Sequence, residues 1–434
     1  MPLSQKHPWN VLVFPAASEI GLEIHRSLQS SKEVVLHGAV QRGPSSADFH
    51  FKRLHILPSI YEEDCLVKLQ ALIKAEKIDA LFPAHDDVLV WLGKHKASLA
   101  ATILSSPPET CFICRSKKET YKILSETVDI PKLYEPEDRA IPFPVFVKPD
   151  CGQGSQRARV IPDRPTLNLA LKSEPDLLVM ENLEGNEYTI DCFNSHSGEV
   201  LYAGARQRIQ TRTGISTRTK TAAHIPALKW AQRIAEKLTL NGTWFFQLKE
   251  DREGNLRLLE VAPRIAGSMA FSRAAGPNFP LLNLYEAAGY NLKVHAFNTS
   301  MEMGRSLDVC FLYDQPIVAL YIDLDDTLIV RDKVNTQLVA LLFQCHNQKV
   351  PVCLLTKHRG DLKTTLADYR LTDLFDRIEH IPAQSDLNKA DFIKEKNAVL
   401  IDDSFAERTL AQQNNPTLRC FDATSAVCLL DKRA

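Results

Sequence analysis

FVKPDCGQGS, residues 146–155, carries a lysine at the end of a short apolar strand and then a loop with two glycines and a serine. Lys148 supplies a point charge, Gly152 and Gly154 let backbone N–H groups approach a ligand closely, and Ser155 adds a hydroxyl. That is chemistry suited to phosphate oxygens. The stretch lacks the GxxxxGK[ST] spacing of a P-loop, and a GxGS loop alone also fits ordinary turns. Residues further along the chain give it meaning. Glu181-Asn-Leu183-Glu-Gly185-Asn-Glu187 separates two strand-like segments, LLVMEN and EYTIDCF. Gln247 is expected to close a later strand in WFFQLKED, and Glu260-Val-Ala262-Pro-Arg264 to close LRLLEVAP. Gln247 and Glu260 can face one cation from adjacent strands, since oxygen ligands suit Mg²⁺ held against phosphates. Each fragment has an ordinary reading as a hairpin turn, a solvated charge or an edge-strand proline. Their order in one chain does not have one so easily.

Upstream, strand and helix signals alternate: NVLVFPA (10–16), the amphipathic SEIGLEIHRSLQ, VVLHGAV (34–40), a helical stretch around 62–76, and DALFPAHDD (79–87). This spacing predicts a doubly wound parallel sheet, whose ligands gather at the carboxyl ends of the strands. His85, Asp86 and Asp87 fall there, either capping a helix or facing a substrate. A second region, from roughly 110 to 300, opens with a predicted helix, RSKKETYKILSET. A third, from about 317, is again α/β, with strands IVALYIDLD, VPVCLLT and NAVLIDD. The linker is expected in FNTSMEMGRSLD or near Tyr313-Asp314-Gln315-Pro316.

The 434 residues imply two to four domains, and 44% hydrophobic with 24% charged residues is a globular composition. A formal net charge of -1 gives no basic excess for nucleic acid. No apolar run approaches the ~18 residues of a membrane span, and VLVF near the start reads as a strand rather than a signal peptide. The ten cysteines are scattered, most of them in apolar strand-like contexts, which is cytosolic usage, so the expected compartment is cytoplasmic. Cys111-Phe-Ile-Cys114 is read as two ordinary buried cysteines.

Taken in order, Lys148, the Gly152–Ser155 loop, Glu181, Glu187, Gln247 and Glu260-Val-Ala-Pro-Arg264 resemble the ATP-grasp superfamily, especially its carbamoyl-phosphate-synthetase-like and carboxylate–amine ligase members. The resemblance covers roughly residues 10–300. It implies an α/β multidomain chain with a Rossmann-like pre-ATP-grasp domain (1–110) and α+β ATP-grasp domains (111–305). Lys117 and Lys148 would contact ATP phosphates, with Gly152, Gly154 and Ser155 as a covering lid. Glu181 and Leu183 would lie at the adenine hinge and Glu187 on the ribose. Gln247 and Glu260 would hold Mg²⁺, with Mn²⁺ as an alternative, and Arg264 would stabilise acyl-phosphate oxygens. The segment Arg206–Thr221 is similar to the substrate-side loop. Ala262 departs from the commoner E-x-N-P-R pattern and removes one metal oxygen. The implied reaction activates a carboxylate as an acyl phosphate, which an amine then displaces.

The third region begins with Asp323-Leu-Asp325-Asp326-Thr327 behind a buried-strand pattern. An aspartate there can attack a phosphate, and a second can serve as acid and then base. With Thr356 after VCLL, Lys389 ahead of a predicted helix DFIKEK, and Asp402-Asp403 after VLI, the stretch resembles the haloacid-dehalogenase (HAD) superfamily. That implies a Rossmannoid parallel sheet with a minimal cap over 317–434. Asp323 would be the nucleophile, Asp325 the acid/base, and Thr356 and Lys389 phosphate clamps. Asp323, the Asp325 carbonyl, Asp402 and Asp403 would serve Mg²⁺. The short interval between the first two motifs leaves such a site open to bulky substrates or to cover by another domain. The expectation is a bifunctional enzyme acting on a small-molecule carboxylate and amine, one of them phosphorylated. It has no nucleic-acid or membrane partner, and a homodimer is compatible with it. An ATP-grasp kinase, and an ATP-binding sensor with a non-catalytic HAD module, remain open.

Overall fold

The computed structural model describes residues 3–433 except His7, Gln153, Ser155, Asn298, Ala383, Gln384 and Asp386. It divides into two compact units, Met1–Leu307 and Asp308–Arg433. Among the described residues no helix is long and apolar enough to cross a membrane.

The first unit opens with β1 (Trp9–Phe14), β2 (Val34–Val40), β3 (Arg53–Ile56), β4 (Ala80–Pro83) and β5 (Thr102–Ile103). They form a parallel sheet in the order β3-β2-β1-β4-β5. Both faces are buried, as parallel sheets require. Val11 and Val13 pack on one core with Ile24 and Leu28, while Leu12 and Phe14 pack on the other with Leu69, Ile73 and Leu92. Ser18 starts the helix Glu19–Leu28 by accepting from the Gly21 N–H at 2.9 Å.

A four-stranded antiparallel sheet follows, made of β6 (Leu133–Tyr134), β7 (Val145–Pro149), β8 (Arg159–Ile161) and β9 (Leu177–Glu181). The helix Arg164–Ser173 covers it through Leu167 and Ala170. The next sheet contains β10 (Glu187–Asn194), β11 (Val200–Arg212), β12 (Ile215–Thr221), β13 (Gly242–Glu250), β14 (Leu256–Ala262) and β15 (Glu302–Gly304), antiparallel in the order β14-β13-β10-β11-β12-β15. Trp244, Phe246 and Leu248 face one core with Tyr188, Ile190 and the helix Ala227–Ala235, so Gln247 points to the opposite face. Of the helix expected over 115–127 only Lys117–Leu124 forms; Ser116 separates it from the preceding helix Pro108–Arg115 and caps it by accepting from Glu119 N–H.

The second unit contains β16 (Leu320–Ile322), β17 (Ile329–Val330), β18 (Lys333–Val334), β19 (Val352–Thr356), β20 (Arg377–His380), β21 (Val399–Ile401) and β22 (Arg419–Phe421). Five strands form a parallel sheet in the order β20-β19-β16-β21-β22, and β17 with β18 is a separate hairpin. The strand expected over 317–325 is only Leu320–Ile322: the acidic residues lie beyond the sheet, where their charges are not stranded between two cores. The helix expected in DFIKEK is absent. Lys389–Phe392 is one 3-10 turn, closed as Asn388 N–H donates to Asp391 at 3.1 Å, and Ile393 is then extended and buried in the core.

Gly21 marks the tightest approach between helix and strand loop, because a Cβ there would lie 2.5 Å from the Ala16 carbonyl oxygen. Gly21→Ala should lower stability by about 1–3 kcal/mol, read as a lower urea midpoint. An unchanged midpoint would remove this packing constraint.

Candidate functional site

The pairing of β13 with β14 shifts register between Gln247 and Leu248: Gln247 sits opposite Glu260, and Leu248 opposite Leu258. Leu259 is the extra residue of a β-bulge. Its carbonyl accepts from Tyr121 Oη at 2.7 Å and Lys148 Nζ at 3.0 Å, and Lys148 Nζ also donates to Tyr121 Oη at 2.8 Å. Lys148 is buried, and burial together with the nearby Lys117 charge pulls its pKa down to about 7. Lys117, at the first turn of its helix, donates through Nζ to the Asp150 and Gly152 carbonyls at 3.1 and 3.3 Å. The Asp150 carboxylate accepts from Ser116 Oγ at 2.9 Å and Lys118 N–H at 2.8 Å, which ties the loop to the helix start. Gly154 has φ +62, a conformation that favours glycine.

Register aligns a row across four strands: Glu260 with Gln247, Gln247 with Thr189, and Thr189 with Arg206. Gln247 therefore stands within β13 rather than at its end, because the strand continues to Glu250. Glu181 Oε1 accepts from Lys132 N–H at 2.9 Å, Leu183 is buried, and Glu187 pairs with Arg208 at 3.2 Å. The structure brings Lys117, Lys148, Gly152, Gly154, Glu181, Leu183, Glu187, Gln247 and Glu260 around one cleft of about 160 Å³, with apolar walls from Phe146, Met180 and Leu259. Ser155 lies outside the described residues.

A larger cavity of about 710 Å³ shares Lys117, Gly152, Gly154, Gln247 and Glu260 with that cleft and extends to Arg264, Arg206 and Asp86. Arg264 makes a two-pronged pair with Asp86, Nη2 to Oδ2 at 2.8 Å and Nε to Oδ1, and lies over the Phe245 ring. Burial pushes Asp86 up, but Arg264 outweighs it and holds the carboxyl below its ordinary range. Asp87 takes Arg115 at 2.6 Å, and His85 is the helix cap, its Nδ1 accepting from Asp87 N–H at 3.2 Å. The two readings of this triplet thus divide among its members: the histidine caps, and the aspartates hold arginines of the cavity wall. Cys111 is buried, with its thiol pushed up to about 12 by burial, whereas Cys114 is only half-buried, so the expectation of two buried cysteines holds for the first alone; both border this cavity.

In the second unit, Asp323 follows the central strand β16, Thr356 ends its neighbour β19, and Asp402 follows its other neighbour β21. Lys389 Nζ contacts Asp323 at 2.8 Å and Asp402 at 2.6 Å, all three being buried. Burial, reinforced by Asp402, pushes Asp323 up to about 6, although Lys389 opposes this. Carboxylate oxygens of Asp323, Asp402 and Asp403 lie within 4.8 Å of one another. Two buried carboxylates against one lysine leave an excess negative charge, and their all-oxygen set suits a hard divalent cation. Thr356 Oγ1 is buried with no hydrogen-bond partner among the described residues. Asp325 is half-exposed and contacts His358 Nδ1 at 2.9 Å, while His358 Nε2 contacts Thr365 Oγ1 at 2.9 Å. Thr327 Oγ1 accepts from Asp403 N–H at 2.9 Å.

Residues 173–306 match the family described as ATP-grasp in the biosynthetic pathway with Ter operon. Over 125 residues, 28% of this chain, the sequence is 30% identical to the 3-methyl-D-ornithine–L-lysine ligase of Methanosarcina barkeri, a match spanning 32% of that ligase's length. Among solved structures, the biotin carboxylase domain of Hydrogenobacter thermophilus 2-oxoglutarate carboxylase, bound to MgADP and bicarbonate, aligns with TM-score 0.57 at 15% identity. That alignment covers 68% of this chain and 73% of the other. An L-amino acid ligase from Bacillus licheniformis aligns with TM-score 0.52 at 20% identity, covering 66% and 75%. Residues 173–306 are thus similar to ATP-grasp proteins.

Sequence reasoning missed Tyr121, although its spacing of four from Lys117 on one helix face was a usable signal. It did not single out the Arg115–Asp87 pair or the buried Arg206–Asp191 pair, Nε to Oδ2 at 2.9 Å, for which no local pattern exists. His358 was also missed. Lys148 has a folded pKa of about 7 against an ordinary 10.5. Between those values the unfolded chain holds a proton that the folded chain lacks, so this lysine makes stability rise with pH across the window. Lys148→Met should therefore stabilise the ligand-free protein more at pH 6 than at pH 9 in urea titrations. Equal gains at both pH values would refute the lowered pKa.

Proposed function

We propose that residues 1–307 form an ATP-dependent carboxylate–amine ligase, with a Rossmann-like segment over 1–110 and the ATP-grasp domains over 111–305. The observation that carries this is the meeting of Lys117, Lys148, Gln247 and Glu260 in a cleft that shares a wall with the larger cavity of Arg264. The 3-methyl-D-ornithine–L-lysine ligase activity named for the Methanosarcina barkeri relative agrees with it. Apolar Phe146, Met180 and Leu183 suit a nucleotide base, Glu181 its edge, and Glu187 the ribose. Lys117 and Lys148 neutralise phosphate oxygens, and Gly152, Gly154 and Ser155 cover them. Gln247 and Glu260, cross-strand partners with oxygen donors, fit Mg²⁺, which when bound offsets phosphate charge; Ala262 adds no donor.

The reacting carboxylate attacks the γ-phosphorus, the bond from that phosphorus to the ADP oxygen breaks, and an acyl phosphate forms. The amine nitrogen then attacks the acyl carbon, phosphate departs, and the nitrogen loses a proton. Arg264, fixed by Asp86, presents positive charge to the acyl-phosphate oxygens. The substrates are a small-molecule acid and amine.

For residues 317–434 the proposal is a HAD-type phosphomonoester hydrolase. Its support is the buried Asp323–Lys389–Asp402 cluster at the ends of adjacent parallel strands, together with the buried Thr356 hydroxyl, which has no partner among the described residues. Asp323 attacks phosphorus while the ester oxygen leaves with a proton from Asp325; water then attacks the aspartyl phosphate, losing its proton to Asp325. Lys389 and Thr356 hold phosphate oxygens, and Asp323, the Asp325 carbonyl, Asp402 and Asp403 fit Mg²⁺, which when bound neutralises the phosphoryl group. One ligase substrate or product would bear the phosphate.

With Asp323→Asn protein, ATP and Mg²⁺, ADP should appear only when pooled acids and pooled amines are both present. Lys148→Ala in that background should slow turnover by about 10²-fold or more. ADP formed with a neutral hydroxyl compound instead would indicate a kinase, and ATP binding without turnover in any pool would indicate a sensor. The unsubstituted protein should also hydrolyse p-nitrophenyl phosphate, with the rate falling to background in Asp323→Asn. Equal rates in the two proteins would end the phosphatase assignment.

A further inference from the structure

His37 and His55 stand on neighbouring parallel strands of the first sheet, in a register that pairs His37 with Arg53 and Ala39 with His55. Strand alternation puts both imidazoles on the face that carries Leu12 and Phe14, and the helix Cys65–Ala75 packs on that face through Leu69 and Ile73. That helix ends at Glu76, its C-cap, and the chain reverses through Lys77 at φ 51. His37 Nδ1 and His55 Nε2 are 3.0 Å apart, and one ring nitrogen of each histidine lies within 4.8 Å of a Glu76 carboxylate oxygen. None of the three lines either cavity.

A hydrogen bond between the imidazoles accounts for the histidine pair but not for a carboxylate converging on the same point. The other nitrogen of His37 supplies a second observation. His37 Nε2 faces Asn10 Oδ1 at 3.4 Å, and the Asn10 N–H is itself held by Asp79 Oδ2 at 2.8 Å. An acceptor on Nε2 places the proton there and leaves Nδ1 as a lone pair, the arrangement that orients metal-bound histidines. Zn–N bonds of about 2.0–2.1 Å at a tetrahedral angle separate two nitrogens by roughly 3.3 Å, so a small ring rotation admits the ion.

We propose that His37, His55 and Glu76 bind a divalent first-row transition cation, zinc by preference, in a site separate from the nucleotide cleft. Two imidazoles with one carboxylate select zinc over the magnesium favoured by all-oxygen sets, and leave a fourth position for water. The ion clips β3, the edge strand of the sheet, to β2 and to the end of the covering helix.

The test uses full-length protein stripped with chelator, then titrated with Zn²⁺ in competition with a chromophoric chelator. Asp402→Asn serves as a control against zinc held by the carboxylate cluster of the second unit. One equivalent should bind to both the unsubstituted protein and Asp402→Asn, with a rise in melting temperature. Asn10→Ala should weaken binding about 10- to 100-fold, and His55→Ala and Glu76→Gln at least as much. Glu76 is exposed, so its substitution leaves the fold intact and reports on the ion alone. Cobalt in place of zinc should give the intense visible bands of a four-coordinate site. Absence of tight zinc binding, or binding undiminished in Glu76→Gln and His55→Ala, overturns the proposal.

Discussion

The bulge at Leu259 sets the geometry of the cleft around Lys148, Gln247 and Glu260. An antiparallel pair without it would carry the Leu259 carbonyl in the ladder or leave it to solvent; the extra residue frees that oxygen for Tyr121 and Lys148. It also aligns Glu260 with Gln247 while keeping Leu248 and Leu258 in the core. A slip of one residue would drive Gln247 into the apolar layer of Trp244 and Phe246 and turn those rings outward. The hydrophobic alternation of β13 and the donor pair facing the cleft are therefore one constraint.

Charges around the cleft are held in pairs. Arg264 takes Asp86, Arg115 takes Asp87, Arg208 takes Glu187, and Arg206 takes Asp191 with Ser272 also donating to that carboxylate. Burial makes an unpaired ion costly, so such pairing fixes side-chain directions more than it adds stability. Lys148 is the contrast: its nitrogen contacts neutral oxygens, and burial with the nearby Lys117 charge depresses its pKa more than Glu260 and Glu187 restore it. The buried trio of Asp323, Lys389 and Asp402 errs in the other direction, with negative charge in excess. Both imbalances favour binding of a ligand with the opposite charge.

Two parallel sheets in this chain share one pattern of strand order, the first strand central with its next two sequence neighbours on one side and the last two on the other. In each, polar residues gather where central strands end: Ser18, His85 and Asp86 in the first unit, Asp323, Thr356 and Asp402 in the second. Shared topology brings chemically different groups to equivalent positions, so the sites carry the functional argument and the fold does not.

Strand alternation, the glycine loop and the acidic strand ends are legible in the sequence, because each follows from backbone period and turn chemistry over a few residues. The residues expected at the nucleotide site converge on one cleft, apart from Ser155, which lies outside the described residues. Local pattern fails where a neighbour distant in sequence decides. It puts Gln247 at a strand end because nothing local shows that β13 pairs onward to Glu250. DFIKEK has a helical look, yet Ile393 is drawn into the sheet core and one turn is all that forms. Arg264 finds Asp86 across 178 positions, and Tyr121 finds Leu259 across 138. Sequence alone determined which residue types border the cleft and the acidic cluster. Only the tertiary structure decided the bulge and the partner of each charge, because both depend on contacts that exist only once the sheets have packed.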